Sequence, residues 1–154
     1  MKKILFLHGL SVRDDKAKKS FLEKKGYKLI FPDLPKSSFE ESIKKSQEAI
    51  DLESPSVIIG SDRGGAISLC LNLDPAKLIL VAPTWKHFDK TKDKNFPSNC
   101  MVLFNKSDSV VDYNDVLLAT KNNLVNWINI GRDHQMNDND SLEALLDSVK
   151  WALR

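Results

Sequence analysis

Short apolar runs alternate with amphipathic segments from one end of this chain to the other, and no other feature restricts the fold as much. Apolar runs of this length, bounded by turn residues, read as strands. The candidates are Lys3 to Leu7, Lys28 to Phe31, Ser56 to Ile59, Lys77 to Val81, Met101 to Asn105 and Val125 to Ile130. Most are nearly continuous in apolar residues, as strands covered on both faces must be. Strands that alternate with helices predict βαβ units and a parallel sheet. With 154 residues, 42% of them hydrophobic, the expectation is one compact domain over residues 1–154.

The helix signals lie between the strands. Ser38 with Glu41, and Asp140 with Glu143, each have the spacing of a capping box, in which a side-chain oxygen satisfies an orphan N–H of the first turn. Leu142, Leu145, Leu146 and Val149 make the apolar stripe of a last helix. A first helix over Lys16 to Lys25 turns Ala17, Phe21 and Leu22 inward and stops at Gly26. Another begins after Gly64 and holds Ala66, Ile67, Leu69, Cys70 and Leu71.

A net charge of +2, with 29% charged residues of interspersed sign, gives no reason to expect a nucleic-acid or membrane partner. The densest basic stretch, Lys16 to Lys25, sits beside Asp14, Asp15 and Glu23 and reads as a solvated helix face. Cys70 and Cys100 lie among apolar residues without paired spacing, which predicts buried thiols in a reducing cytosol. The opening Met1-Lys2-Lys3 and Ile4 to Leu7 are too short for a signal segment, and no apolar run reaches bilayer length, so a cytoplasmic location is expected. The three histidines, His8, His87 and His134, lack metal-ligand spacing, and no metal or other cofactor is expected.

The chemistry concentrates at the end of the third strand, in Val57-Ile58-Ile59-Gly60-Ser61-Asp62-Arg63-Gly64-Gly65-Ala66. A strand, a sharp turn and an immediate helix form a nucleophile elbow, which holds its central residue in strained backbone geometry. Residues two before and two after the tip must be small, because backbones pass close together there. Gly60 and Gly64 meet that need only if Asp62 is the tip. Centring the turn on Ser61 would place Ile59 and Arg63 in the crowded positions.

These residues resemble those of the α/β-hydrolase superfamily, and the resemblance runs over nearly the whole chain. It implies the α/β-hydrolase fold in a minimal form, a three-layer αβα arrangement with a six-stranded parallel sheet and no cap domain. His8-Gly9 after the first strand resembles the family's His-Gly turn, which implies that the backbone N–H groups of Leu10 and Arg63 form an oxyanion hole. Asp108, in Asn105-Lys106-Ser107-Asp108, sits where the family's triad acid lies, and His134, in Gly131-Arg132-Asp133-His134, where its histidine lies. Asp112 and Asp133 are alternatives for the acid. His8 and His134 also have structural readings, as loop histidines, and Asp62 as a helix cap.

An elbow aspartate is similar to that of the haloalkane dehalogenases, fluoroacetate dehalogenases and epoxide hydrolases. It implies a hydrolase acting on a small organic molecule through Asp62, His134 and Asp108, with a covalent ester on Asp62. Asp62-Arg63-Gly64 looks most like the fluoroacetate group, where the arginine helps bind the substrate carboxylate, and His8 and Trp85 join Arg63 as candidate substrate-binding residues. The departures are equally plain. Arg63 stands where the haloalkane group has a halide-binding tryptophan, and residues 83–99 are too few for the helical cap that supplies tyrosines to epoxide hydrolases. In size the chain looks more like small cap-less bacterial esterases with an elbow serine. A weak esterase derived from them, or a non-catalytic binding protein on the same scaffold, therefore remains open.

Overall fold

A computed structural model describes residues 2–121 and 125–154. In chain order it runs β1 (Lys3–Leu7), α1 (Val12–Lys24), β2 (Lys28–Ile30), α2 (Phe39–Glu53), β3 (Val57–Ser61), α3 (Arg63–Ser68), β4 (Lys77–Val81), β5 (Cys100–Phe104), α4 (Tyr113–Lys121), β6 (Asn126–Asn129) and α5 (Asn139–Ala152). All pairings are parallel, in the order β2-β1-β3-β4-β5-β6. This is the α/β-hydrolase fold without a cap. Between β4 and β5 the chain holds only a short 3-10 turn, Trp85–His87.

The central strands are buried on both faces because side chains alternate across the pleat. Leu5, Leu7, Ile58, Leu78, Leu80, Val102 and Phe104 meet Ile50 of α2, Ala66 and Ile67 of α3 and Val116 of α4. On the other face Ile4, Phe6, Val57, Ile59, Ile79 and Leu103 meet Leu22 of α1 and Leu145, Leu146 and Val149 of α5. These two apolar interiors fasten the helices to a rigid sheet. Among the described residues no helix is long and apolar enough to cross a membrane.

Ser38 caps α2, its Oγ accepting from the Glu41 N–H at 3.0 Å, as its spacing predicts. The start of α5 differs from expectation. Asp138, not Asp140, is the cap, and its carboxylate takes the Ser141 N–H at 3.3 Å and the Ser141 hydroxyl at 2.6 Å. The first helix differs more. It begins at Val12, capped by Ser11, and its inward face is Asp15, Lys18 and Leu22, while Ala17 is exposed. The reading of this stretch as a solvated face is therefore corrected at Asp15 and Lys18, which pair with one another and with polar groups of the sheet ends. The helix after the elbow is shorter than expected, ending at Ser68. Cys100 is buried and Cys70 half-buried, both as free thiols.

Candidate active site

The site lies at the C-terminal ends of β1, β3 and β5 and beyond β6, where loops leave an open parallel sheet. Asp62 terminates β3 and precedes α3 with φ +56° and ψ −121°, a conformation that L-residues rarely adopt. Its side chain makes no capping bond to α3, so the helix-cap reading does not describe it. The elbow closes because Gly60 and Gly64 lack side chains. A Cβ on Gly60 would meet the Gly64 carbonyl oxygen at 2.8 Å, and one on Gly64 would collide with the Leu7 carbonyl of β1. Gly9 is equally constrained, since a Cβ there would strike the Asp62 carboxylate.

Asp62, His134 and Asp108 come together from three separate loops. His134 Nε2 lies 2.8 Å from Asp62 Oδ1, and His134 Nδ1 lies 2.8 Å from Asp108 Oδ2. The other Asp62 oxygen, Oδ2, accepts the Leu10 backbone N–H at 2.9 Å, and the Arg63 N–H adds to the stabilisation of its charge. Asp108 is itself fastened by the Val110 and Val111 N–H groups, at 2.8 and 2.9 Å on its Oδ1. The two alternative acids are engaged elsewhere. Asp112 Oδ1 accepts the Asn114 and Asp115 N–H groups at the start of α4, and Asp133 Oδ1 accepts the Met136 N–H.

The protonation states follow from this geometry. Burial opposes a charge on His134, but its hydrogen bonds to Asp108 and Asp62 and the fields of both carboxylates outweigh that, raising its pKa to about 9. Burial likewise opposes charge on Asp62 and Asp108, yet the bonds to His134 and the backbone N–H groups hold both below the usual carboxylate value. At neutral pH the site is an imidazolium between two carboxylates.

The three residues expected to bind substrate are placed otherwise. Arg63 is 5% exposed, and its guanidinium turns away from Asp62 to the Ser42 hydroxyl at 3.2 Å, the Pro35 carbonyl at 3.0 Å and the face of Phe39. His8 is buried, with Nδ1 2.8 Å from the Gly9 carbonyl, Nε2 accepting the Leu34 N–H at 3.1 Å, and its ring stacked on Phe31. It orders its loop. Trp85 is buried edge-on against Phe96 and lines a second cavity, of about 150 Å³, behind Val110 and Val111. None of the three lines the cavity onto which Asp62 opens. His87 is exposed.

That cavity holds about 210 Å³ and is lined by Leu10, Ser11, Asp14, Asp15, Lys18, Ser61, Asp62, Val110, His134 and Gln135. Its floor is polar. Asp15 accepts the Gly9 N–H at 2.7 Å on Oδ2 and the Ser61 hydroxyl at 2.8 Å on Oδ1. Lys18 donates to Asp15 Oδ1 at 3.3 Å and to the Gln135 carbonyl at 2.6 Å. By composition these residues read as a solvated helix face. Their one signal is spacing, since Asp15 and Lys18 share a helical face with Leu22.

No protein-family model and no curated protein sequence matches the chain. Solved structures do resemble it throughout. A CIB-like hydrolase from Thermoplasma acidophilum aligns with 97% of this chain and 85% of its own at 18% identity and a TM-score of 0.71. The ydeN gene product of B. subtilis aligns over 99% of both chains at 14% identity and a TM-score of 0.75. XC6422 of Xanthomonas campestris, described as a serine hydrolase without lid, aligns with 99% of this chain and 80% of its own at 17% identity and a TM-score of 0.69. At these identities the likeness establishes the shared fold.

Proposed function

We propose that this protein is a hydrolase that forms a covalent ester between Asp62 and a small organic substrate and cleaves it with water activated by His134. One observation carries the reading: the Asp62 carboxylate stands at the elbow tip on an open cavity, bonded to His134 and Leu10, rather than closed in a salt bridge with Arg63. The hydrolase names of the Thermoplasma and Xanthomonas neighbours support the broader class.

A carboxylate needs no base to be a nucleophile at pH 7. With Oδ2 held by the Leu10 N–H, Oδ1 attacks an sp³ carbon, and the leaving group departs with the bonding pair. Asp62 is then a neutral ester. His134 has lost one of the two negative charges that kept its proton, so its pKa falls and it releases the proton to solvent. Neutral His134, oriented by Asp108, takes a proton from water as that water attacks the ester carbonyl. The Leu10 and Arg63 N–H groups hold the resulting oxyanion. Collapse expels the alcohol, which leaves with the proton from His134, and the Asp62 carboxylic acid then passes its own proton to His134, restoring the carboxylate and the imidazolium.

Ordinary acyl-ester hydrolysis is the second reading, favoured by the likeness to a serine hydrolase without lid. It fits the geometry less well. Attack by Asp62 on an acyl ester exchanges an ester for a more reactive anhydride, and the Leu10 N–H that a substrate carbonyl needs is occupied by Asp62 itself.

Intact mass of the His134→Gln variant after exposure to alkyl halides, haloacids, epoxides and activated esters tests the proposal. Without His134 the ester accumulates, so an adduct mapped to Asp62 is the expected result. No adduct with any class, together with inert wild type, would leave the non-catalytic reading.

A further inference from the structure

In this alkyl-transfer scheme the leaving group departs as an anion into a cavity where Asp14 and Asp15 are already present. A preorganised donor aimed at the leaving group would stabilise its developing charge. Two cationic side chains line the cavity, His134 and Lys18. His134 has both ring nitrogens engaged, one on Asp62 and one on Asp108. Arg63 is turned to Pro35 and Ser42 on the other side of the elbow. An ammonium carries three N–H donors, and Lys18 commits two of them, to Asp15 and to the Gln135 carbonyl.

We propose that the third N–H of Lys18 receives the departing halide when Asp62 attacks a small uncharged alkyl halide, making Lys18 a catalytic residue of the first half-reaction. The inference rests on the covalent reading of Asp62 above. As the Asp62 oxygen bonds to carbon, the carbon–halogen pair goes to the halogen, and the halide accepts a hydrogen bond from the ammonium without proton transfer. Lys18 is 1% exposed and lines the cavity onto which Asp62 opens, and an ammonium N–H makes a stronger bond to an anion than a neutral donor does. Asp15 keeps the ammonium in place and is itself held by Gly9 and Ser61, so the donor is fixed in the lining of the cavity it shares with Asp62. The same acidic lining disfavours haloacids, whose carboxylate would find no guanidinium among the described residues that line the cavity.

The test is the rate of mass gain at Asp62 in His134→Gln and in His134→Gln with Lys18→Met, using 1-chlorobutane, 1-bromobutane and 1-iodobutane. Loss of an electrostatic donor should slow chloride displacement by about tenfold to a hundredfold, and iodide, the better leaving group, by less than about threefold. Lys18→Arg, which keeps the charge, should retain most of the chloride rate. Equal slowing with all three halides would make Lys18 a positioning residue for the histidine loop and overturn the proposal, as would adducts formed only by epoxides or esters. An adduct in His134→Gln that Lys18→Met leaves unchanged overturns this inference alone. No adduct in His134→Gln with any compound class removes the covalent reading and this inference with it. Should Lys18→Met fail to fold, with Asp15 left as a buried unpaired charge, the Asp15→Asn/Lys18→Met double variant gives the same rate comparison.

Discussion

Arg63 and Lys18 are both cations with almost no exposed surface, and they flank the same elbow, yet they are held in different ways. Arg63 spends its guanidinium on the Pro35 carbonyl, the Ser42 hydroxyl and the Phe39 ring, all of them uncharged partners on the α2 side. Lys18 is paired with a buried carboxylate, and the pair ties the Gly9 loop, the end of β3 and the histidine loop into one network. Arg63, next to Asp62 in sequence, is thus a brace for the elbow. Lys18, forty-four positions before Asp62, lines the cavity onto which Asp62 opens. Proximity along the chain says little about direction, because the residue after an elbow tip enters a helix and its side chain follows that helix's face.

Stability separates the two most sharply. Asp15→Ala strips partners from two buried donors and leaves the Lys18 ammonium unpaired, and breaking a buried pair in this way costs about 3–5 kcal/mol. Arg63→Met keeps much of the stem packing and loses hydrogen bonds to neutral groups, for about 1–3 kcal/mol. Urea unfolding of both variants measures the difference, and equal losses would break the distinction between network and brace. Arg63→Met should also leave adduct formation at Asp62 nearly unchanged. If it selectively abolished adducts with haloacids, Arg63 would be a substrate contact after all.

A pH series sharpens the same contrast, because the cations titrate with opposite sign. His134 has a folded pKa of about 9 against an ordinary 6.5, so the stability it contributes is fully present below 6.5 and is lost as pH rises through 9. Lys18 is shifted the other way: burial lowers its pKa against the pull of Asp15, so its charge is a burden that alkaline pH relieves. Wild type should therefore lose on the order of 2–3 kcal/mol between pH 6.5 and 9. His134→Gln should show no such fall over that window. A fall of the same size in both proteins would mean that the imidazolium between the two carboxylates does not form. On the acid side, Asp62 and Asp108 contribute above the ordinary carboxylate value of 3.8, and that contribution disappears as pH drops through their lowered folded values.

What the sequence makes legible here is whatever the backbone enforces. The strands are written in their apolar runs, and the elbow in Gly60 and Gly64, because close backbone contacts admit no side chain at those positions. Asp108 and His134 are legible through strand order, since each follows its strand as the resemblance requires. Side-chain direction is another matter. The outward turn of Arg63 depends on Pro35, Ser42 and Phe39, which carry no pattern linking them to the elbow. Asp15 and Lys18 look like surface charges because their burial comes from neighbours far along the chain, Ser61 and Gln135. At α5, Asp138 and Asp140 are both acceptable caps by composition. The Ser141 hydroxyl, bonded to Asp138, accompanies the earlier start.

Trp85 provides the mildest test and the most specific control. Its indole Nε1 is buried without a hydrogen-bond partner among the described residues, an unusual condition for a group that ordinarily finds one. Trp85→Phe removes that unpaired donor, which relieves a penalty of about 1–3 kcal/mol, while it shrinks a side chain packed against Phe96, at a comparable cost. The two effects oppose, so thermal unfolding should change by less than about 1 kcal/mol. The donor also faces a rival explanation of leaving-group stabilisation, because Trp85 lines the smaller cavity that adjoins the reaction space across Val110. If an indole N–H received the halide, Trp85→Phe would slow chloride displacement more than iodide, in the manner expected of Lys18→Met. Rates unchanged by Trp85→Phe with all three halobutanes, beside a chloride-selective loss in Lys18→Met, would locate the halide on the α1 side of Asp62 and leave Trp85 to the core.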